Sequence, residues 1–278
     1  MIKVLHPGIH NTIQDQGRFG YAKLGVPVAG ALDGYAAEFG KALVRGKKTD
    51  AVIEITFGQG KFQFMETTVF CLTGGDFSPT LNGDPIGMNR IYNAESTALL
   101  SFGKRNYGAI TYLAVQGGVQ TDRVLKSRSF SKGITRERLE KGDELEILKQ
   151  EEFTETTYAR IRMPEEHFNS GELACFPGPE FDQLNEKQKR RLFEPFTLSA
   201  DQNRVGYRLN EPIENDLNHI LTSSVLPGTV QLTPSGTLIV LMNDCQVSGG
   251  YPRVLQLSEY AISRLSQKVT GDEVQFTQ

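Results

Sequence analysis

Several arginines sit in turn-like segments, most of them glycine-bearing, where a guanidinium can act together with backbone amides. Arg18 lies in Asp15-Gln16-Gly17-Arg18-Phe19-Gly20, Arg128 in Lys126-Ser127-Arg128-Ser129, and Arg204 and Arg208 in Arg204-Val205-Gly206-Tyr207-Arg208-Leu209. A guanidinium is a planar fork of donors that matches a carboxylate, carbamate or phosphate. Neighbouring glycines let backbone amides approach the same anion. The competing reading is that each arginine pairs with a nearby acid, such as Asp15 or Asp201, and pins a loop. Of these arginines Arg253, after Gly249-Gly250-Tyr251-Pro252, is the one that best fits an exposed residue without a role. The stretch Asn243–Pro252 follows an apolar strand and is rich in polar side chains, Asp244 and Tyr251 among them. Loops of this kind carry substrate contacts; the alternative is a tight turn that depends on glycine.

Missing motifs narrow the chemistry. Gly58-Gln59-Gly60-Lys61 lacks the spacing and the hydroxyl residue of a phosphate loop, and neither a GxSxG elbow nor a GxGxxG turn is present. There is no Met-Lys-Met segment to carry biotin covalently, and the four histidines show no HxH or HExxH spacing. A metal site is therefore not expected. The activated group for any carboxyl or phosphoryl chemistry is expected to come from elsewhere. Cys71 and Cys175 read as small core residues, while Cys245 stays open because of its polar neighbourhood.

The elements that must position these residues are mostly strands. Ala51–Thr56, Lys61–Glu66 and Thr68–Thr73 read as a meander, and Asn82-Gly83 is a hairpin signal. Met1–Leu5, Ala109–Val115, Leu145–Leu148, Thr229–Thr233 and Thr237–Met242 also read as strands. Leu32, Tyr35, Ala36, Phe39 and Leu43 have helical spacing, with Asp33 as the capping carboxylate and Gly46 as the stop. Glu180–Phe193 reads as one polar helix, and Ser258 caps another that turns Ala261, Ile262 and Leu265 inward.

The chain also echoes itself. Asp15-Gln16-Gly17-Arg18-Phe19-Gly20-Tyr21 recurs as Asp201-Gln202-Asn203-Arg204-Val205-Gly206-Tyr207. Gly117-Gly118 with Arg123-Val124-Leu125 recurs as Gly249-Gly250 with Arg253-Val254-Leu255. Arg138-Leu139 leading to Gly142-Asp143-Glu144 recurs as Arg264-Leu265 leading to Gly271-Asp272-Glu273. Three echoes in one order indicate a divergent duplication, with the meander inserted in the first copy. Domains over 1–150 and 170–278 are expected, with the boundary in the polar stretch 149–169. At 278 residues, 38% hydrophobic and 23% charged, with a net charge of −3, the composition is that of a globular chain with no basic stripe for nucleic acid. No run approaches the roughly 18 apolar residues of a membrane span, and the opening residues do not read as a leader. A cytoplasmic protein is expected, with neither membrane nor nucleic acid as partner.

Taken together these residues resemble the allophanate hydrolase subunit 2 family. It includes the C subunits of 5-oxoprolinases, the KipA proteins and part of the urea carboxylase carboxyltransferase domain. The resemblance runs from Thr12–Arg18 and Gly25–Asp33 through Ile53–Thr56, Leu72–Asp76, Tyr112–Gly118 and Ser127–Ser129. It continues through Pro177–Pro179, Arg204–Leu209, Pro227–Gln231 and Gly249–Pro252. It implies a mainly β fold with a few helices, built as two related cyclophilin-like β-barrel domains. It implies a subunit-1 or KipI-like partner, a LamB/YcsF-like third subunit, and ATP bound or shared by the partner complex. The activity implied is ATP-driven opening of the lactam of 5-oxoproline to glutamate. A KipA-type regulatory protein and a carboxyltransferase subunit for urea or a related amide are the alternatives. Substrate-binding candidates are Arg18, Arg128, Arg204, Arg208, Gly117, Gly118, Gln231, Gly249 and Gly250; Asp244 and Tyr251 are the catalytic candidates. Where the family usually has Ser-Glu-Gly, this chain has Thr222-Ser223-Ser224, which removes a carboxylate.

Overall fold

A computed structural model describes residues 1–148, 162–217 and 220–278. Most of the expected domain boundary, 149–161, lies outside the described residues. The chain forms two compact units, one of Met1–Gly17 and Asp33–Phe168, the other of Arg18–Leu32 and Asn169–Gln278. The units are therefore discontinuous in sequence, because residues 18–32 of the first half group with the second unit.

The first unit holds β1 (Ile2–His6), β2 (Thr12–Gln14), α1 (Gly34–Leu43), β3 (Val52–Thr56), β4 (Lys61–Phe64) and β5 (Thr68–Asp76). It continues with β6 (Thr80–Leu81), β7 (Asp84–Pro85), β8 (Ile91–Ala94), β9 (Leu99–Ser101), β10 (Tyr107–Val115), β11 (Val119–Gln120) and β12 (Glu144–Ile147). These strands pair as two sheets, in the orders β11-β12-β1-β4-β9-β6-β7 and β2-β3-β10-β5-β8. Strand alternation places Ile2 and Val4 of β1 and Phe62 and Phe64 of β4 in the core, against Phe70, Leu72 and Leu113. By contrast, β5 and β10 are buried along nearly their whole length. They read as continuous apolar runs because α1 covers the face that the core does not. As expected, Asn82-Gly83 closes a hairpin, between β6 and β7.

A short helix α2 (Glu166–Asn169) precedes the second unit's β13 (Glu172–Pro177), α3 (Glu186–Leu192), β14 (Phe196–Gln202), β15 (Gly206–Leu209) and β16 (Ser223–Ser224). Then come β17 (Thr229–Leu232), β18 (Leu238–Leu241), β19 (Ser248–Gly249), β20 (Arg253–Leu257), α4 (Glu259–Ser266) and β21 (Glu273–Thr277). Seven strands close into a barrel, β13-β20-β17-β18-β15-β14-β21, while β16 and β19 form a separate ribbon. Closure leaves the barrel no unpaired edge. The mainly β expectation holds, and the closed barrel is in the second unit.

The duplication is visible in backbone hydrogen bonds. In the first unit Val4 N donates to Asp143 O (2.8 Å) and Gly142 N to Val4 O (2.8 Å). In the second, Leu198 N donates to Asp272 O (3.0 Å) and Gly271 N to Leu198 O (3.0 Å). Leu139 and Leu265, at matching places in the echo, are both buried. The Asp15 and Asp201 echoes do not share a role: Asp15 is buried in a hydrogen-bonded cluster, whereas Asp201 is exposed on β14.

Two helices differ from expectation. The 180–193 stretch is broken into a 3-10 turn, Phe181–Gln183, and α3, because Asn185 is extended and caps α3 in a reciprocal box with Gln188. Helix α1 stops at Leu43 with Val44 as its C-cap, and the left-handed residue that closes it is Arg45, at φ 55°, rather than Gly46, whose amide donates to Lys41 O (2.8 Å).

The Asp33 cap is present and carries more than expected. Its Oδ1 accepts from Ala36 N (2.8 Å), and its Oδ2 lies 2.7 Å from His167 Nε2. Asp33 N donates to Tyr112 Oη (2.8 Å), which in turn donates to Glu54 Oε2 (2.8 Å). None of these four side chains is more than 1% exposed. Burial and the nearby carboxylates push the Tyr112 phenol well up, so it stays protonated and a donor. Breaking such a buried pair from one side removes a partner from a desolvated charge. His167→Ala is expected to lower stability by roughly 3 kcal/mol, read as a lower urea midpoint with an unchanged slope.

Candidate functional site

In the first unit the candidate residues gather where β2 ends. Asp15 Oδ1 accepts from Ser127 Oγ (2.6 Å), Ser129 Oγ (2.7 Å) and Gly17 N (2.8 Å), and its Oδ2 accepts from Arg128 N (2.8 Å). The acid thus grips the backbone and hydroxyls of 127–129. The Arg128 guanidinium instead donates to Thr121 O and Gln120 Oε1. Burial and then the neighbouring Arg123 pull its pKa below the usual value. Gln120 is itself held by the Gly117-Gly118 turn, whose carbonyls accept from its Nε2 at 3.0 and 3.1 Å. Only glycine fits at 117: φ is +87°, and a Cβ there would come within 1.9 Å of Leu148 O. Gly117 and Gly118 therefore set the Gln120 side chain that orients Arg128.

In the second unit the loop before β15 and the loop after β18 meet the 18–32 segment. Arg204 Nε donates to Asp244 Oδ2 (2.9 Å), and its Nη2 donates to Asp244 Oδ1 (3.1 Å) and Gly30 O (2.6 Å). Asn243 reinforces this, its Nδ2 donating to Ala31 O (2.7 Å) and its carbonyl accepting from Ala29 N (2.8 Å). The acid that holds Arg204 is thus Asp244, not Asp201. Asp201 lies 3.8 Å from Arg208, both largely exposed, an ion pair worth little. Arg18 is 1% exposed, and its backbone amide donates to Val28 O (2.7 Å). Cys245 is buried, and burial together with Asp244 pushes its thiol up to about 12, so it is a core residue like Cys71 and Cys175.

Arg253 corrects the expectation of an idle surface residue. Its Nε and Nη2 grip the two oxygens of Glu180 at 3.0 and 2.9 Å, and its Nη1 donates to Ser224 O (2.9 Å). Gln231 is 2% exposed on β17 beside Gly249 of β19. Ser223 and Ser224 pair with Gly249 and Ser248. Gly250 accepts from Ile220 N (3.1 Å), and Tyr251 is half-buried at the bend before β20. The second unit thus groups Arg204 with Asp244, and Gln231 with Gly249; Arg208 stands apart on the barrel surface. Gln120, Glu180 and Asn243 were not expected. Glu180 directly follows Pro177-Gly178-Pro179, so its position was readable but its partner was not. Among the described residues no group of three or more His, Cys, Asp or Glu side chains could hold a metal ion, and no helix is long and apolar enough to cross a membrane.

The Arg253 hydrogen bonds hold the Glu180 carboxyl below its ordinary 4.5, against the opposing effect of burial. A depressed folded pKa contributes stability above the unfolded value, and that contribution is lost as pH falls through the folded one. Urea unfolding at a series of pH values below 4.5 should show stability falling with pH. Glu180→Gln should flatten that slope.

Residues 24–278 match the family described as carboxyltransferase domain, subdomain A and B. The chain is 30% identical to the 5-oxoprolinase C subunit of Escherichia coli K12, over 100% of this chain and 91% of that protein. The crystal structure of TTHA0988 superposes with a TM-score of 0.89 at 27% identity, covering 100% of this chain but 55% of that one. This chain therefore spans about half of that solved polypeptide. Kluyveromyces lactis urea carboxylase superposes with a TM-score of 0.88 at 25% identity, covering 99% of this chain and 27% of that one.

Proposed function

Because the chain belongs to the carboxyltransferase subdomain A and B family, we propose that it is a subunit of an ATP-dependent 5-oxoprolinase acting with a subunit-1/KipI-like partner. The observation that carries this reading is its end-to-end similarity to a 5-oxoprolinase C subunit, which spans all of this chain and 91% of that relative. A LamB/YcsF-like protein is the third component.

Opening a lactam to glutamate requires a grip on the substrate carboxylate and stabilisation of charge that develops on the lactam oxygen. Arg128 suits the first task, because its guanidinium donates to two neutral oxygens rather than to a carboxylate. Arg204 is engaged by Asp244 and the Gly30 carbonyl, so it acts by holding Asp244, and with it the loop that leads to Tyr251, in place. Arg18 is a candidate anion contact of the second unit in this reading, whereas Arg208 stands apart on the barrel surface. ATP is assigned in this reading to the partner complex, bound or shared there; the pairing of Arg204 and Arg253 with carboxylates supports that assignment.

The test is co-expression with the proteins encoded beside it, followed by an assay for ATP-dependent glutamate release from 5-oxoproline. Release that needs all subunits is the expected result, with a loss of at least about tenfold in Arg128→Ala if one charge-assisted contact is removed. No release from a well-assembled complex overturns the reading. The likeness to urea carboxylase favours a second reading, carboxyl transfer to an amide. It requires a separate biotin carrier and would appear as co-purification with a biotinylated protein.

A further inference from the structure

We propose that Gln231 recognises the edge of a neutral cis amide or lactam in the second unit and selects it over a carboxylate. The proposal names the substrate group of the site described above and so rests on that reading.

Gln231 lies in the middle of β17, between Val230 and Leu232, both fully buried. Their cross-strand partners are Val240 and Leu238, also fully buried, so this face of β17 forms the barrel interior. Alternation turns Gln231 to the other face, opposite Ile239 and, across a bulge, Arg253. There the β16–β19 ribbon lies over it. A Cβ at Gly249 would stand 2.6 Å from Gln231 Nε2, so only glycine leaves the amide its place.

Arg253, opposite Gln231 on β20, is matched to Glu180 and Ser224 O. Yet Gln231 Nε2 is buried and has no acceptor among the described residues. A buried donor left without an acceptor costs about 1–3 kcal/mol, and a fold tolerates that where something else supplies the acceptor. A carboxamide presents an N–H beside a C=O. The cis edge of a lactam presents the complement, a C=O beside an N–H, so the two form a planar pair of hydrogen bonds. A carboxylate offers acceptors alone and would face the Gln231 oxygen with one of its own. A site built to hydrogen-bond a ligand group discriminates strongly against ligands that lack it.

The probe is 2-pyrrolidinone, a neutral lactam without a carboxylate, titrated into the 15N-labelled full chain. The Gln231 side-chain NH2 signals, assigned by their loss in Gln231→Glu, are expected to move on binding, while acetate leaves them unmoved. Gln231→Leu and the near-isosteric Gln231→Glu are each expected to weaken lactam binding by about tenfold or more, with circular dichroism confirming the fold of both. Unmoved NH2 signals at saturating lactam, or wild-type binding in either folded variant, overturn the proposal. If the assembled complex releases no glutamate while 2-pyrrolidinone still moves these signals, the 5-oxoprolinase reading falls and the amide site stands. Glutamate release with an unchanged KM for 5-oxoproline in Gln231→Leu overturns the amide site alone.

Discussion

Arg204 binds three oxygens at once, both of Asp244 and the carbonyl of Gly30. Two stretches far apart in sequence are fixed by that one guanidinium, and Asn243 repeats the arrangement one residue away. These bonds hold residues 18–32, which group with the second unit, to the loops before β15 and after β18. A buried ion pair gives little net stability after desolvation, but it penalises every arrangement that leaves one partner unpaired. Here it secures one geometry for the loop bearing Asp244 and Tyr251.

The same use of charge recurs through the molecule. Asp15 fastens the 127–129 segment, Asp33 combines a helix cap with the His167 contact, and Glu180 fixes Arg253 at the start of β20. In each case a carboxylate is matched to donors whose positions are set by a turn or a strand end. In each unit the candidate residues are thus held largely by carboxylates. Arg128 and Gln231 are held differently, since one guanidinium meets neutral oxygens and one amide nitrogen meets no acceptor among the described residues.

This arrangement is consistent with a chain that supplies a framework and a few specific contacts to a larger assembly. A family that includes a 5-oxoprolinase C subunit and regions of urea carboxylase uses one framework in settings of different length, from a separate polypeptide to about a quarter of a long one. In this chain Ser223 and Ser224 pair with the strand that bears Gly249, beside Gln231.

Local pattern determined the strands, the Asp33 cap, the Asn82-Gly83 hairpin and the echo around Gly142 and Gly271, because each depends on residues within a few positions of one another. The echo even carried the matching hydrogen bonds at Val4 and Leu198. Asn185 and Gln188 spelled out the break in the 180–193 helix, a signal present in the sequence but outweighed by the polar periodicity around it. Arginine type and context marked Arg18, Arg128 and Arg204 as important without giving their partners. Which acid meets which arginine was decided by tertiary structure alone. Asp244 is 40 residues from Arg204, and Glu180 is 73 from Arg253. Strand order and barrel closure, not spacing along the chain, bring such groups within hydrogen-bond distance. The orphan amide of Gln231 was likewise invisible in sequence, since a missing partner is defined only once every neighbour is in place.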